Sequence, residues 1–404
     1  HLFTFGTAGA ILLGSWIILL AFIPEMFQWL RVEPNEITFE KPYIAHNIHF
    51  TRKAFGLDKV EERQLSGSDQ FTRGMAEANQ NTFENIRIWD WRALDAVLKQ
   101  FQEIRLYYEF YHVDIDRYTY QGKYREVMVS AREMNLENLP AQSQTFINRR
   151  FKYTHGYGIT MNNVSEFRSN GLPRLLIRDI PPKSLYPELE VKRPEIYYGE
   201  LTRTHVVVNS KEKEFDYPRG DQNAYVHYAG RGGVLLDGVW RKFLFGWKFD
   251  GTKFFLSSYP TSKSRIQFHR QIRERVQTLA PFLRFDEDPY IVLSEGKLYW
   301  IIDGYTTTQN YPYSEQFMAR DVGLSRSVQP GEVKRELRRA GVVGMNYIRN
   351  AVKVVVDAYS GEVDFYIFEP EDPLIQVWSR IFPGLFHPRS DMPEDLLAHI
   401  RYPA

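Results

Sequence analysis

The hydrophobic pattern of the chain opens on an unbroken apolar stretch. From Leu2 to Ile23 there is no charge, and the middle reads Ala10-Ile11-Leu12-Leu13-Gly14-Ser15-Trp16-Ile17-Ile18-Leu19-Leu20-Ala21-Phe22-Ile23. About 20 apolar residues in helical geometry cross the hydrocarbon core of a bilayer. A helix does so alone because its backbone groups are satisfied internally. Residues 1–30 therefore read as one transmembrane helix with its interfacial end, where Phe27 and Trp29 fall at headgroup level. A cleaved leader would need a basic start, a short apolar core and a small-residue cleavage site, and none is visible. Pro24 and Glu25 end the apolar run. The opening residue is His1 rather than Met, which reads as the retained end of something longer.

Beyond the span the pattern alternates between helical and strand periods. Arg31–Glu40 reads as a polar connector, Lys41–Leu57 as a helix with Pro42 in its first turn and Gly56 as its stop, and Glu61–Asn81 as a surface loop. Trp91–Tyr108 is the clearest amphipathic helix, with Leu94, Val97, Leu98, Phe101, Ile104, Arg105 and Tyr108 on one face. From His112 the period becomes two, and Gln121-Gly122-Lys123 turns the chain into a second strand at Tyr124–Ser130. Asn138–Arg150 reads as a helix, followed by the loop Tyr153–Gly158. The Pro-rich segment around Ile180-Pro181-Pro182 divides a helix-rich part, residues 31–180, from a β-rich part, residues 181–404. In the latter, Leu201–Asn209 reads as a strand, and Trp240–Trp247 with Lys253–Ser258 as a hairpin about Asp250-Gly251. Arg265–Phe282 reads as one helix with its arginines outward. Tyr290–Leu293 with Lys297–Ile302, and Val352–Val356 with Glu362–Phe368, read as two more hairpins. The fold class is α+β: one N-terminal transmembrane helix, then a soluble domain with a helix-rich first half and an antiparallel, β-rich second half.

Composition narrows the function more than the fold. The 404 residues carry 51 basic and 50 acidic side chains, a net charge of +1, so no nucleic-acid partner is expected. Cysteine is absent, which excludes disulfides, thiolate chemistry and Cys-ligated metal centres. The share of aromatic residues, 15%, suits core and sheet packing as well as wet interfaces.

Several stretches, taken in order, resemble a known family. They are Lys41-Pro42-Tyr43-Ile44, Thr51–Asp58, Asn85–Asp90, Val113–Tyr118, Val127–Glu133 and Tyr153–Gly158. Further along come Tyr299–Thr307, Val352–Tyr359 and Phe382–Phe386. The chain is similar, from about Glu40 to its end, to the large, functionally uncharacterised multi-spanning membrane proteins of bacteria and some archaea. That resemblance implies a set of N-terminal spans, of which only the last is retained here. It also implies a big extracytoplasmic domain, of which a further C-terminal portion is missing, and it implies no activity.

Candidate chemistry is sparse. His155, between two glycines in Thr154-His155-Gly156-Tyr157-Gly158, has the character of a general base or metal ligand, or of a turn residue bonding a neighbouring carbonyl. Asp114 and Asp116 share one face of a strand, about 7 Å apart, a spacing for a divalent cation or an acid/base pair, or for ion pairing with Arg117 on a solvated face. Tyr228–Val234 is glycine-rich but lacks a phosphate-loop signature, and Asp357–Gly361 is turn chemistry. His46 and His49 read as surface residues, and the basic run Lys334–Arg339 as a solvated helix face. No cofactor signature occurs. The reading is a membrane-anchored extracytoplasmic protein, periplasmic or extracellular, serving as a scaffold or accessory subunit of a membrane assembly. Its partners are the lipid bilayer and membrane proteins or further copies of itself. The alternative is a cell-envelope enzyme, a hydrolase or transferase with His155, Asp114 and Asp116 as first suspects.

Overall fold

A computed structural model describes residues 2–54, 56–64, 71–220, 222–317 and 344–403. Phe55, residues 65–70 of the expected surface loop and the basic run Lys334–Arg339 lie outside the described residues. The chain divides into two compact units, His1–Arg73 and Gly74–Ala404.

The first unit is helical. The helix begins at Leu2 and continues through wide turns at Ile18–Phe22 and Gln28–Val32, a 3-10 turn at Glu33–Asn35 and a regular stretch at Glu36–Ala54. The connector expected at Arg31–Glu40 is thus helical, and Pro42 lies inside a helix rather than in its first turn. Pro24 follows directly on the first wide turn. A turn closed over five residues makes room for the ring where the hydrogen bond is missing. Gly56 ends the helix in the left-handed region, φ 66°. The stretch from Thr4 to Ala54 is long and apolar enough to cross a membrane. Its apolar side chains are exposed all round, including Leu12 at 71%, Trp16 at 61% and Leu20 at 63%.

The second unit starts with short helices at Arg73–Ala78 and Gln80–Glu84, inside the stretch read as loop, and then the amphipathic helix Trp91–Gln102. Asp90 caps that helix by accepting from the Arg92 N–H at 2.8 Å. Leu94, Leu98 and Gln102, four apart, form its buried face. The helix ends six residues earlier than its apolar pattern extends, because Ile104 turns the chain at φ 63° and Tyr108 already begins a strand. The helix-rich first half therefore reaches only to Gln102. The helix expected at Asn138–Arg150 is likewise broken, by Pro140, into two 3-10 turns and a wide turn at Asn148–Lys152.

Two six-stranded sheets make up the body. In the first, Lys123–Met134 is central, flanked by Asp114–Tyr120, Tyr108–Phe110 and Ile159–Phe167, with Pro173–Arg178 and Lys183–Ser184 beyond, all antiparallel. In the second, Lys297–Thr308 pairs with Arg284–Phe285, Tyr290–Ser294 and Tyr347–Asp357. Val363–Ile367 then follows antiparallel and Phe386–Pro388 parallel. The hairpins expected at Gln121-Gly122 and Glu295-Gly296 are present. All four residues have positive φ, the turn that matches strand twist. The third, about Asp357–Gly361, is closed by Asp357 accepting from the Tyr359 and Ser360 N–H groups at 2.8 and 2.9 Å.

The main core joins the sheets from both sides of the Pro-rich segment. Val129, Ile159 and Met161 of one meet Leu293, Trp300, Val354 and Val356 of the other, with Ile272 and Val276 of a helix. Tyr118 links them directly, its hydroxyl accepting from the Leu293 N–H at 2.9 Å. On the opposite face of the second sheet, Tyr290, Ile301 and Val355 pack against Met392 and Leu396. Both faces being covered explains the continuous valine run Val354-Val355-Val356.

Three further elements differ from their sequence reading. Leu201–Asn209 contributes only the short strand Val206–Val208. Arg265–Phe282 splits into the strand Arg265–Gln267 and the helix Ile272–Leu279, whose first turn is capped by Gln271 on the Glu274 N–H at 2.6 Å. Trp240–Ser258 is helical, Val239–Lys248 and Thr252–Phe255 about Gly251, rather than a β hairpin. There the spacing of Trp240, Phe243, Leu244 and Trp247 is helical, and it overrides the strand preference of aromatic residues.

Candidate functional site

The segment that sequence reading singles out, Thr154–Gly158, lies beside a cavity of about 200 Å³. Its wall takes Thr154 from that segment, Arg149 and Tyr153 from the wide turn before it, Leu201–Thr204, Met134–Glu137 and Arg270. Thr154 forms part of the wall but His155 is set behind it, fully buried. The Thr154 hydroxyl donates to Glu214 Oε2 at 3.1 Å and therefore accepts from His155 Nδ1 at 2.8 Å, which requires a proton on Nδ1. Nε2 lies 3.4 Å from Asp216, and the ring packs on Tyr197 with centroids 4.5 Å apart. Glu214, itself fully buried, also accepts from the Tyr197 hydroxyl at 2.7 Å and from the N–H groups of Asn209 and Tyr228 at 2.8 and 3.0 Å. His155 thus orients Thr154 within a satisfied buried network.

The cavity itself is an arginine site. Arg270 is 3% exposed and donates to the carbonyl oxygens of Tyr197 (2.7 Å), Thr204 (3.0 Å) and Thr154. Burial pushes its guanidinium down to about 10. Arg149 turns a buried Nε into the protein with no hydrogen-bond partner among the described residues. Arg203 is exposed at the mouth. Against these three cations the wall holds one carboxylate, Glu137, while the Thr154 and Thr202 hydroxyls are engaged by Glu214 and by backbone carbonyls. Planar guanidinium groups recognise phosphate, sulfate or carboxylate. Sequence reading misses this site. Arg270 falls in a segment that reads as an outward helix face, yet it is buried just before the helix begins. The adjacent pair Arg149-Arg150 was the available signal; Arg150 is taken by Asp250 at 3.0 Å, while Arg149 is left to the cavity.

Asp114 and Asp116 do share one strand face, but that face is buried rather than solvated, at 5% and 3% exposure. Their partners come from the far end of the chain. Arg401 stands 3.5 Å from Asp114, and His399 Nδ1 stands 2.8 Å from Asp116. The Arg117 N–H donates to Asp116 at 2.8 Å, while its guanidinium donates to the Ile400 carbonyl rather than to either carboxylate. Among the described residues no group of three His, Asp or Glu side chains is placed to hold a metal ion. His155 and the two aspartates have no partner in common. Between them runs a seam of buried polar groups: Glu133, which accepts from the Glu200 and Leu201 N–H groups at 2.9 and 3.0 Å, then Glu200, which meets His112 at 3.2 Å. Burial pushes the Asp114 and Glu133 carboxyls up to about 8, and the Glu200 carboxyl upward as well.

The two stretches that read as plain turns also meet. Ala229–Arg231 of the glycine-rich loop and Asp357–Ser360 border a groove of about 650 Å³ that takes in Tyr299, Tyr359 and Tyr366. Gly232 is held close against the Ser360 carbonyl, where a Cβ would fall at 2.1 Å. Glu195 and Asp364 line the groove, with carboxyls raised by burial, and Arg193 pairs with Asp357 at 2.6 Å.

These features define an α+β protein with a long apolar N-terminal helix, two six-stranded, antiparallel-dominated sheets and no metal-holding cluster among the described residues. The chain belongs to the uncharacterised protein family UPF0182, which it matches over residues 2–404. It is 48% identical over 395 residues to a UPF0182 protein of Pelotomaculum thermopropionicum, covering 98% of this chain and 40% of that protein. It is 45% identical over 392 residues to one of Trichodesmium erythraeum (96% and 42%), and 46% over 396 residues to one of Sulfurovum sp. (97% and 41%). The chain thus spans about two fifths of the length of these curated relatives. No solved structure matches it.

Two expectations follow. Isothermal titration with inorganic phosphate or sulfate shows binding that Arg203→Ala weakens about tenfold or more, as loss of a charge-assisted hydrogen bond does. Equal affinity in the variant would remove the cavity from consideration. Asp114 holds its proton up to about 8 in the fold against 3.8 for a free aspartate. The folded chain therefore binds more protons than the unfolded one across that window, and stability falls as pH rises through it. Asp114→Asn lessens that fall, by on the order of a few kcal/mol between pH 4 and 8. Melting curves at several pH values check this, and an unchanged slope would refute the assignment.

Proposed function

We propose that this chain is part of a membrane-anchored, extracytoplasmic binding protein, an envelope scaffold or an accessory subunit of a larger membrane assembly. One observation carries the reading: the helix carries no charge as far as Ile23, and its large apolar side chains there, Leu12, Trp16 and Leu20 among them, are exposed. A helix hydrophobic all round is unstable in water and finds its solvent in lipid or protein. The resemblance to multi-spanning membrane proteins supports further spans in the whole protein and a domain outside the cytoplasm. The arginine cavity adds the recognition element, taking an anionic group of the partner. Alkaline carbonate extraction of membranes from cells expressing the chain leaves it in the pellet; release into the supernatant would end the anchored reading. Purified in mild detergent from native membranes, the protein brings a partner that mass spectrometry identifies, or it associates with itself. A lone monomer would end the scaffold reading.

A second reading, an envelope enzyme, is favoured by the groove, where two carboxyls with raised pKa, Glu195 and Asp364, stand among tyrosines. Such carboxyls deliver protons near neutral pH. Turnover of envelope glycan, lipid or peptide by the purified protein, abolished in Glu195→Gln, would select this reading. Absence of turnover on all three classes counts against it.

A further inference from the structure

The helical pair Val239–Lys248 and Thr252–Phe255 has two opposite faces. Its inner face is fixed: Phe254 is buried, and Phe245 and Phe249 pack against Phe268 at 5.7 and 5.8 Å. Its outer face shows Trp240 at 77% exposure, Leu244 at 60%, Trp247 at 81% and Leu256 at 77%. Phe243 sits between the tryptophans and Phe255, with ring centroids 5.7–6.4 Å apart, so the outer aromatics form one ordered cluster. A tryptophan offers up to ~250 Å², so the two tryptophans alone reach into the roughly 300–600 Å² that the largest apolar patch of a monomer presents.

The charges around it are one-sided. Asp237 is matched by Arg241 at 3.0 Å, and Asp250 is drawn inward to Arg150 and His205 at 3.0 and 2.5 Å. Lys248 and Lys253 stand exposed with no carboxylate partner among the described residues, Lys248 reaching over the Phe249 and Phe268 rings at 5.5 and 5.2 Å. Apolar positions at i, i+3, i+4 and i+7 with tryptophan at both ends and lysine at the border are the pattern of a helix lying in a membrane interface. Indole rings settle at headgroup level, and each lysine near an anionic surface adds to adsorption.

We infer that the Val239–Leu256 helical hairpin is an interfacial membrane-docking element that seats its Trp240–Trp247 face among anionic lipid headgroups. The hairpin holds part of the folded body against the bilayer surface, in addition to whatever the N-terminal helix contributes. The inference rests on the anchored reading only for having a bilayer within reach.

The chain has no cysteine, so a single introduced thiol reports one site. Leu244→Cys for the hairpin, Ile11→Cys for the N-terminal helix and Asn170→Cys for an exposed loop are each labelled with an environment-sensitive fluorophore. The full chain is reconstituted into vesicles of phosphatidylcholine with phosphatidylglycerol, with and without brominated lipid. Brominated lipid quenches the label at 244 about twofold or more, leaves the label at 170 unquenched, and quenches less at 244 when phosphatidylglycerol is omitted or salt is raised. Quenching at 11 but not at 244 overturns the inference while the anchored reading stands. Quenching at 244 but not at 11 upholds it while the N-terminal anchor fails. A label at 244 shielded from both brominated lipid and aqueous iodide, or disulfide-linked dimers of Trp247→Cys, would show a protein on this face and overturn the inference.

Discussion

The arrangement of the second unit depends on how one buried cation is satisfied. Arg270 has left water without a carboxylate in hydrogen-bond contact, and its guanidinium is held by the carbonyls of Tyr197, Thr204 and Thr154. Burying a charge is tolerable only when its donors are all well used. Satisfying this one pins three segments from different parts of the chain to a single point. The Thr154–Gly158 segment, the loop after the Pro-rich region and the entrance to the Ile272–Leu279 helix are thereby fixed together. Glu133, which receives two N–H groups of the same loop, lies close to Arg270. The cavity beside Arg270 is a by-product of this clamp: the donors face carbonyls on one side, and on the other they leave a positive wall.

Polar groups are concentrated where the elements join, and apolar ones where the sheets face. Glu214 accepts four hydrogen bonds at zero exposure. Lys353 and Asp303 form a buried ion pair on neighbouring strands, and Trp300 gives its indole N–H to the Tyr198 carbonyl at 2.9 Å. Such groups add little net stability and penalise every alternative packing. They account for a single arrangement of loops around two sheets whose aliphatic faces would otherwise slide.

Local chemistry in the chain was legible and long-range chemistry was not. Gln121-Gly122, Glu295-Gly296 and Asp357–Gly361 announce their turns because a left-handed backbone or an Asx bond needs only neighbouring residues. The apolar span from Leu2 is legible for the same reason. The shared face of Asp114 and Asp116 followed from strand geometry, but its burial did not, since the residues that cover it are His399 and Arg401. Arg270 read as solvent-facing because the helical pattern of Ile272, Val276 and Leu279 extends backwards without a visible stop. In Trp240–Ser258 aromatic content argued for strands and spacing for helices, and the turn pair Asp250-Gly251 serves either. Arg149 could not be told from Arg150 by sequence, because only the position of Asp250 separates the paired cation from the unpaired one.

The clasp between the strand Asp114–Tyr120 and the tail has a kinetic meaning. Arg117 and the Ile400 carbonyl are 283 residues apart, and Arg401 and the Ile115 carbonyl 286. On a ribosome the strand emerges long before its cover, so two acidic side chains and an uncapped sheet face wait in solvent until synthesis has nearly reached Arg401. Contacts of such separation slow folding and lengthen the life of aggregation-prone intermediates. Closure of this sheet face therefore waits until Arg401 has been made, and a chaperone has that whole interval in which to act on the nascent chain.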